Sequence, residues 1–270
     1  MISVSTVTGY LYCPRKVYMN YVLRIFGQGR KETVSGRIKH AVIEYVNNNE
    51  KEIVEAIDNP LLENIEIHYR ANYYKALDSI LEKSRAELDR LRAKKEEAAA
   101  EIWPVLLKEA KLRAKNVALF MQAHPVMGRE LWDKLTPKYV SEVPVASYAI
   151  GLNGKIDRVE MHSENCLIPL EMKTGKPPKD GIWDNHRIQL AAYIMLLKEK
   201  YSHVNEGYIE YLDAGDRRKI TLNPFIEDEV KSLIIKVKDL LNSTTPPEKE
   251  KNNAKCVKCE LKEQCNALNP

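Results

Sequence analysis

Residues 154–173 read Gly-Lys-Ile-Asp-Arg-Val-Glu-Met-His-Ser-Glu-Asn-Cys-Leu-Ile-Pro-Leu-Glu-Met-Lys. The pattern from Lys155 to Met161 predicts a strand, Ser163-Glu164-Asn165 a turn, and Cys166 to Met172 a further strand. Successive strand residues point to opposite faces, so Glu171 and Lys173 share one face and Met172 opposes them. A neighbouring strand carrying Asp157 brings a second carboxylate beside Glu171. Two adjacent carboxylates repel unless a cation bridges them, and hard oxygen ligands of this kind suit Mg²⁺ or Mn²⁺. The Lys173 ammonium would then orient or help deprotonate a water near the metal. A Glu-x-Lys pair alone is commonplace on solvated strands. Here the apolar run Leu167-Ile168-Pro169-Leu170 places it at the end of a buried one.

On either side of this stretch the texture is that of an α/β core. Tyr139 to Ile150 is a β-like run, closed by the turn signal Gly151-Leu152-Asn153-Gly154. Asp184 to Lys200 is predicted as a helix, with Ile188, Ala191, Ala192, Met195 and Leu196 on one side. Gly207 to Leu212 and Arg218 to Leu222 read as short strands around an Asp-Ala-Gly-Asp turn. Asn223-Pro224 opens a final helix to about Leu241, because Asn caps and Pro suits the first helical position. Upstream, Ile38, Val42, Ile43 and Val46 give helix spacing over Val34 to Glu55, and Asp58-Asn59-Pro60 breaks it. Tyr73 to Ala118 has no Gly, one Pro (Pro104) and an apolar stripe at Leu77, Leu81, Leu88 and Leu91. It reads as two helices, ended or kinked at Pro104, forming either an insertion or a layer over the core.

The 270 residues carry a formal charge of +4, too small a total to settle a partner. Its distribution is more telling. The first forty residues hold Arg15, Lys16, Arg24, Arg30, Lys31, Arg37 and Lys39 against Glu32 alone, interleaved with Tyr10, Tyr12, Tyr18, Tyr21 and Phe26. Basic groups neutralise phosphates and aromatic faces stack on bases; an amphipathic helix with buried tyrosines and a solvated basic face gives the same pattern. Five Cys exclude a fully paired intrachain disulfide framework by parity, and 11 Gly exclude a collagen-like chain. No secretory signal opens the sequence and no run is long enough for a membrane span, so a cytoplasmic protein without a membrane partner is expected.

Cys256-x-x-Cys259-x5-Cys265 follows a polar stretch, Ser243 to Ala254, that reads as a linker. A fourth cysteine stands far upstream at Cys13, within Tyr12-Cys13-Pro14-Arg15-Lys16. Four thiolates complete a tetrahedral zinc site or a [4Fe–4S] cluster, and the spacing fits either. Lys255, Lys258 and Lys262 surround the triad, and Cys166, in an apolar strand, reads as a small buried residue.

The Asp157 and Glu171-x-Lys173 arrangement resembles the PD-(D/E)xK nuclease superfamily and its RecB-like branch. Gly36-x-x-x-His40 on a predicted helix resembles that branch's first motif, and Gln189-x-x-x-Tyr193 its fourth. Residues i and i+4 share a helix face, so Gln189 and Tyr193 look toward one site. With the two-ended cysteine set, the chain most resembles the CRISPR-associated Cas-four family of exonucleases. The resemblance implies a restriction-endonuclease-like core with a mixed central sheet at 119–242, N-terminal helices at 1–72, a helical insertion at 73–118, and a linker with an iron–sulfur region at 243–270. It implies His40, Asp157, Glu171 and the Met172 carbonyl as ligands of Mg²⁺ or Mn²⁺, Lys173 as the group at the attacking water, and Gln189 and Tyr193 in support. Cys13, Cys256, Cys259 and Cys265 would hold a [4Fe–4S] cluster, and Arg15, Lys16, Arg24, Arg37 and Arg158 would contact DNA. The implied activity is digestion of single-stranded DNA ends, often 5′ to 3′, in spacer preparation with the CRISPR integrase complex, with a homo-oligomeric ring among the family's assemblies. A RecB-like iron–sulfur nuclease of repair or replication, or a non-catalytic DNA-end or integrase-binding module, would share much of the pattern. The sequence carries no Gly-x-x-x-x-Gly-Lys-Ser/Thr phosphate loop.

Overall fold

The computed structural model describes residues 1–27, 31–250, 253–257 and 259–268, the side chains of 31, 32 and 253 excepted. Arg30, Lys258 and the side chains of Lys31 and Glu32, cited above for their charge, lie outside the described residues.

The strands are β1 (Ile2–Ser3), β2 (Lys138–Ser147), β3 (Leu152–Ser163), β4 (Cys166–Lys173), β5 (Glu206–Tyr211) and β6 (Asp216–Thr221). The helices are α1 (Val4–Tyr12), α2 (Pro14–Tyr21), α3 (Lys31–Asn48), α4 (Glu50–Glu55), α5 (Leu62–Lys83), α6 (Arg85–Arg90), α7 (Lys95–Ala123), α8 (Gly128–Lys134), α9 (Asp184–Lys198), α10 (Pro224–Leu241), α11 (Asn253–Val257) and α12 (Lys262–Ala267). One mixed sheet runs β1-β3-β4-β5-β6, with β2 paired antiparallel along β3. The β4–β5 pair is parallel, joined through α9, and β5–β6 is antiparallel. This is the mixed-sheet α/β core that the sequence predicts.

Local chemistry sets several boundaries. The Asn223 side chain accepts the Ile226 amide at 3.0 Å, and Pro224 takes the first turn of α10. The Ser3 hydroxyl caps α1 through the Thr6 amide at 3.0 Å. Gly207 lies where a Cβ would come within 2.7 Å of the Pro169 carbonyl, so β5 approaches β4 only with glycine there.

Helices cover both faces. On one, α1, α9 and α10 bury Val4, Val7, Ile188, Ala191, Ile194, Val230 and Leu233 against Ile156 and Ile209. On the other, α3, α5 and α7 bury Ile38, Val42, Tyr69, Leu77, Leu106 and Ala110 with Met172 and Leu212. Residues 73–118 thus belong to a helical layer whose core includes Leu77, Leu81 and Leu88. The boundaries at 72/73 and 118/119 fall inside α5 and α7. Pro104 neither ends nor separates the helices: α7 runs through it, and the chain turns instead between Ser84 and Lys94, where Arg92 has φ 54°.

Three charged residues lie buried beneath this layer. Arg158 is fully buried, donates to Glu109 of α7 at 2.8 Å, pairs with Glu210 of β5, and lies over the Tyr139 ring. Arg158 is therefore withdrawn as a DNA contact. Alternation places it on the face opposite Asp157, and a buried guanidinium ion-paired on two sides presents nothing to solvent. Arg15 is also withdrawn: it is 1% exposed, and its two terminal nitrogens donate to the Pro247 and Leu268 carbonyls at 2.6 Å each. Cys166 is exposed rather than buried, because it begins β4 beside the Ser163 turn.

Removing one member of a buried ion-paired set leaves the others uncompensated. Arg158→Ala is expected to lower unfolding stability by about 3–5 kcal/mol in denaturant titration. Arg187→Ala, which breaks the half-exposed pair with Glu229, should cost about 1 kcal/mol or less.

Candidate active site

The β3–β4 ladder ends at Arg158 and Leu170. One step further along, Asp157 and Glu171 no longer pair through the backbone. Instead, the Asp157 carboxylate accepts the Met172 amide at 2.8 Å, occupying the place of a missing ladder bond. This split opens a site at the end of a buried strand.

Glu171 is 3% exposed. Its Oε1 accepts from Lys173 Nζ at 2.8 Å and from Gln189 Nε2 at 2.5 Å. Lys173 also donates to Gln189 Oε1 at 2.8 Å, so strand and helix α9 hold each other through three polar groups. Tyr193 lies one turn beyond Gln189, its hydroxyl 3.5 Å from the Gln189 amide. Gly154 makes room for it, since a Cβ there would stand 2.7 Å from the Tyr193 ring. His40 of α3 places Nδ1 3.7 Å from Asp157 Oδ2. All five sequence-predicted side chains, Asp157, Glu171, Lys173, Gln189 and Tyr193, thus converge, with His40 at their edge.

Glu171, Met172, Lys173 and His40 line one cavity of about 670 Å³ together with Gly36 and Thr174. Burial pushes the Glu171 carboxyl up to about 8; the Lys173 ammonium opposes the rise and Asp157 adds to it. Burial likewise lowers His40, against the pull of Asp157. The second oxygen of Glu171, Oε2, is buried with no donor of its own and faces the Asp157 carboxylate, so that only a proton shared between the two or a cation satisfies it. A native fold rarely leaves a carboxylate oxygen in that state unless something else satisfies it. His40, Asp157 and Glu171 offer the hard oxygen and imidazole donors that a divalent cation takes. Among the described residues, no three His, Cys, Asp or Glu side chains are gathered closely enough to hold a metal ion as they stand. The donor set and the unpartnered oxygen fit such an ion; the spacing would have to tighten around it.

Besides Gly36, already part of the Gly36-x-x-x-His40 motif, several residues that shape this site carried no signal in the sequence. Lys39, nearly buried beside His40, meets Asp213 Oδ1 at 2.5 Å, and Asp213 Oδ2 accepts the Gly175 amide at 2.7 Å. The Leu212 amide donates to the Lys173 carbonyl at 2.9 Å. The β5–β6 turn therefore braces both α3 and the end of β4. Gly36 lets α3 close on Thr174, whose hydroxyl would lie 2.9 Å from a Cβ there. Glu142 lines the same cavity with φ 55°, an uncommon backbone state for a non-glycine residue. None of these pairs has a fixed spacing, and the Asp213 partners are 38 and 174 positions away.

The remaining expected sites are placed as follows. Cys13, Cys256, Cys259 and Cys265 line a second cavity of about 210 Å³, with Lys16, Glu250 and Lys262. All four are free thiols, and burial pushes the Cys13 thiol up. Lys16 pairs there with Glu260 at 2.6 Å, away from the nuclease-like cavity. Arg24 is exposed at φ 58°, and Arg37 lines the mouth of the carboxylate cavity while pairing with Glu87.

The PD-(D/E)XK nuclease superfamily matches residues 1–266. The chain belongs to this superfamily. The resemblance read from Asp157 and Glu171-x-Lys173 is confirmed at the level of the superfamily. A DNA replication ATP-dependent helicase/nuclease, JHS1, of Arabidopsis thaliana is 30% identical over 131 residues, 43% of this chain. The match spans only 10% of that relative. Two solved structures share 18% and 13% identity: SSO0001, with TM-score 0.37 over 64% of this chain and 80% of its own, and a Eubacterium rectale protein named "Putative exonuclease", with TM-score 0.48 over 100% and 90%. At these scores neither adds to the assignment. No helix among the described residues is long and apolar enough to cross a membrane.

Glu171→Gln turns the unpartnered oxygen into a donor facing Asp157. Metal-free stability should then change little, because the gain of about 1–3 kcal/mol from satisfying a buried polar group is offset by loss of the charge paired with Lys173. Added Mg²⁺ should raise the melting temperature of the wild type and leave that of the variant unchanged. Equal Mg²⁺ stabilisation of the two would overturn Glu171 as a ligand.

Proposed function

We propose that this protein is a divalent-metal-dependent deoxyribonuclease that digests DNA from single-stranded ends. The observation that carries the reading is the buried, half-satisfied Glu171 carboxylate beside Asp157 and Lys173. His40, Asp157, Glu171 and the Met172 carbonyl would hold Mg²⁺ or Mn²⁺. When bound, the ion would supply a Lewis acid for the charge that develops on the phosphate oxygens. Lys173 has one ammonium hydrogen left after its bonds to Glu171 and Gln189, and that hydrogen would orient the attacking water. Gln189 would keep the ammonium from turning away, and Tyr193 would close the floor behind it. Of the basic residues expected to contact DNA, Arg37 lines this cavity and Arg24 is exposed, and both would be open to a strand.

We further propose that the cavity lined by Cys13, Cys256, Cys259 and Cys265 takes a [4Fe–4S] cluster. Four free thiols from both ends of the sequence facing one space support this, since thiolate sets of that kind hold such clusters. The setting that fits the motif order and the two-ended cysteines is CRISPR adaptation, with trimming of spacer precursors for the integrase. A role in DNA replication or repair is the second reading, favoured by the match to the helicase/nuclease. A cytoplasmic location accords with either.

End-labelled single- and double-stranded DNA, digested with and without Mg²⁺ or Mn²⁺, tests the activity. The wild type should shorten single strands only with metal. Lys173→Ala and Asp157→Ala should each lose about 10²–10⁴-fold in rate while staying folded. Full activity in the double variant would overturn the assignment. Anaerobically purified protein should be brown and contain iron, whereas zinc without iron in elemental analysis would remove the cluster from this reading.

A further inference from the structure

Residues 174–183 connect Lys173 to α9, the helix that carries Gln189 and Tyr193. Thr174 already lines the carboxylate cavity, so this loop starts at the reacting centre and ends at the start of the helix that carries its supporting glutamine. It has no regular structure, yet it is tied down at several points. The Gly175 amide donates to Asp213 at 2.7 Å. The Gly181 carbonyl accepts from Arg218, and Trp183 Nε1 donates back across the loop to the Lys176 carbonyl at 3.3 Å. Gly175 and Gly181 take φ of 98° and 68°, and Pro177-Pro178 stiffens the middle.

Ile182 packs into the core, whereas Trp183 beside it joins no core cluster and is 48% exposed. The indole N–H is used within the loop, so the ring is oriented and only its apolar surface remains to be covered. Lys176 and Lys179 are exposed, and among the described residues neither has an ion-pair or hydrogen-bond partner for its ammonium. Asp180 also lies on this loop and Asp184 just after it, Asp184 facing Arg187; an oriented aromatic face flanked by lysines without ion-pair partners is complementary to a base and its neighbouring phosphates.

We propose that the 174–183 loop is the strand-holding subsite of the enzyme: Trp183 stacks on an unpaired base of single-stranded DNA, while Lys176 and Lys179 contact its phosphates. The inference rests on the nuclease reading and specifies its substrate as DNA with accessible base faces. A paired base has both faces covered by its neighbours, so stacking on Trp183 selects unpaired nucleotides.

The test is binding of a fluorescent single-stranded oligonucleotide by anisotropy, in the Glu171→Gln background without metal so that nothing is cut. Trp183→Ala should weaken binding by about tenfold, in the range expected for one stacked base, and Trp183→Phe should restore most of it. With an oligonucleotide of abasic sites, Trp183→Ala and its parent should bind alike, a result that damage to the fold would not give. Lys176→Ala with Lys179→Ala should flatten the slope of log affinity against log salt by about 1.4. Unchanged binding in both the Trp183 and the double-lysine variants, with strong binding by the parent, overturns the subsite and leaves the nuclease reading standing. A Trp183 deficit that persists on abasic DNA overturns the stacking role. Absence of single-strand binding by the parent at any salt removes the single-strand substrate and the subsite together.

Discussion

The guanidinium of Arg158, itself fully buried, ties β3 to α7 through Glu109 and to β5 through Glu210. Such a set is favourable only when every member is in place, because an unpaired buried charge is far costlier than an unformed pair. It therefore admits one register for three elements. That register also decides the opposite face of β3. Asp157 is the adjacent residue, and its carboxylate reaches the Met172 amide only because Arg158 and Leu170 are the last paired rung. A similar set, Glu50 with Arg113 and Tyr69, fixes α4, α5 and α7. The helical layer and the site are thus joined by charge through the sheet.

The two faces use charge in contrasting ways. Beneath α7 the carboxylates of Glu109 and Glu210 find a guanidinium. At the site Glu171 finds Lys173 and Gln189 on one oxygen and only the like carboxylate of Asp157 toward the other. Packing helps enforce this, since Gly154 admits the Tyr193 ring and Gly36 admits Thr174. The small residues let helices close in until the carboxylate has lost its water, leaving an incomplete polar set that a cation and a substrate can finish.

β4, β5, α9 and α10 were legible because their signals are local, whereas the two-residue β1 gave none and the turn read at Gly151-Leu152-Asn153-Gly154 lies largely within β3. Asn223-Pro224 specifies a helix start by itself, and the alternation around Glu171 specifies its face. The motif residues were legible because they stand at fixed spacings on single elements. Lys39, Asp213, Glu109 and Glu210 were not, since each matters only through a partner distant in the chain. Alternation could have excluded Arg158 from the DNA face, as it lies next to Asp157. Basic charge in the first forty residues misled for Arg15, because a count of charges says nothing of burial. Pro104 misled in the same way: its missing donor is tolerated inside a helix whose stability comes from tertiary packing along most of its length.

Arg15 also changes how the ends of the chain are to be understood. Its two hydrogen bonds reach Pro247 and Leu268, Lys255 donates to the Tyr12 carbonyl at 2.9 Å, and Lys16 holds Glu260. These contacts join the N-terminal helices to the segment bearing Cys256, Cys259 and Cys265 through protein groups alone. Arg15 lies two residues from Cys13, so the same short stretch supplies both the join and the first thiol of the cavity. A cluster bound there would add to an existing clasp rather than create it. Metal binding contributes to folding only to the extent that the site is not already formed, and here much of the cost of bringing the two ends together is offset by a buried arginine.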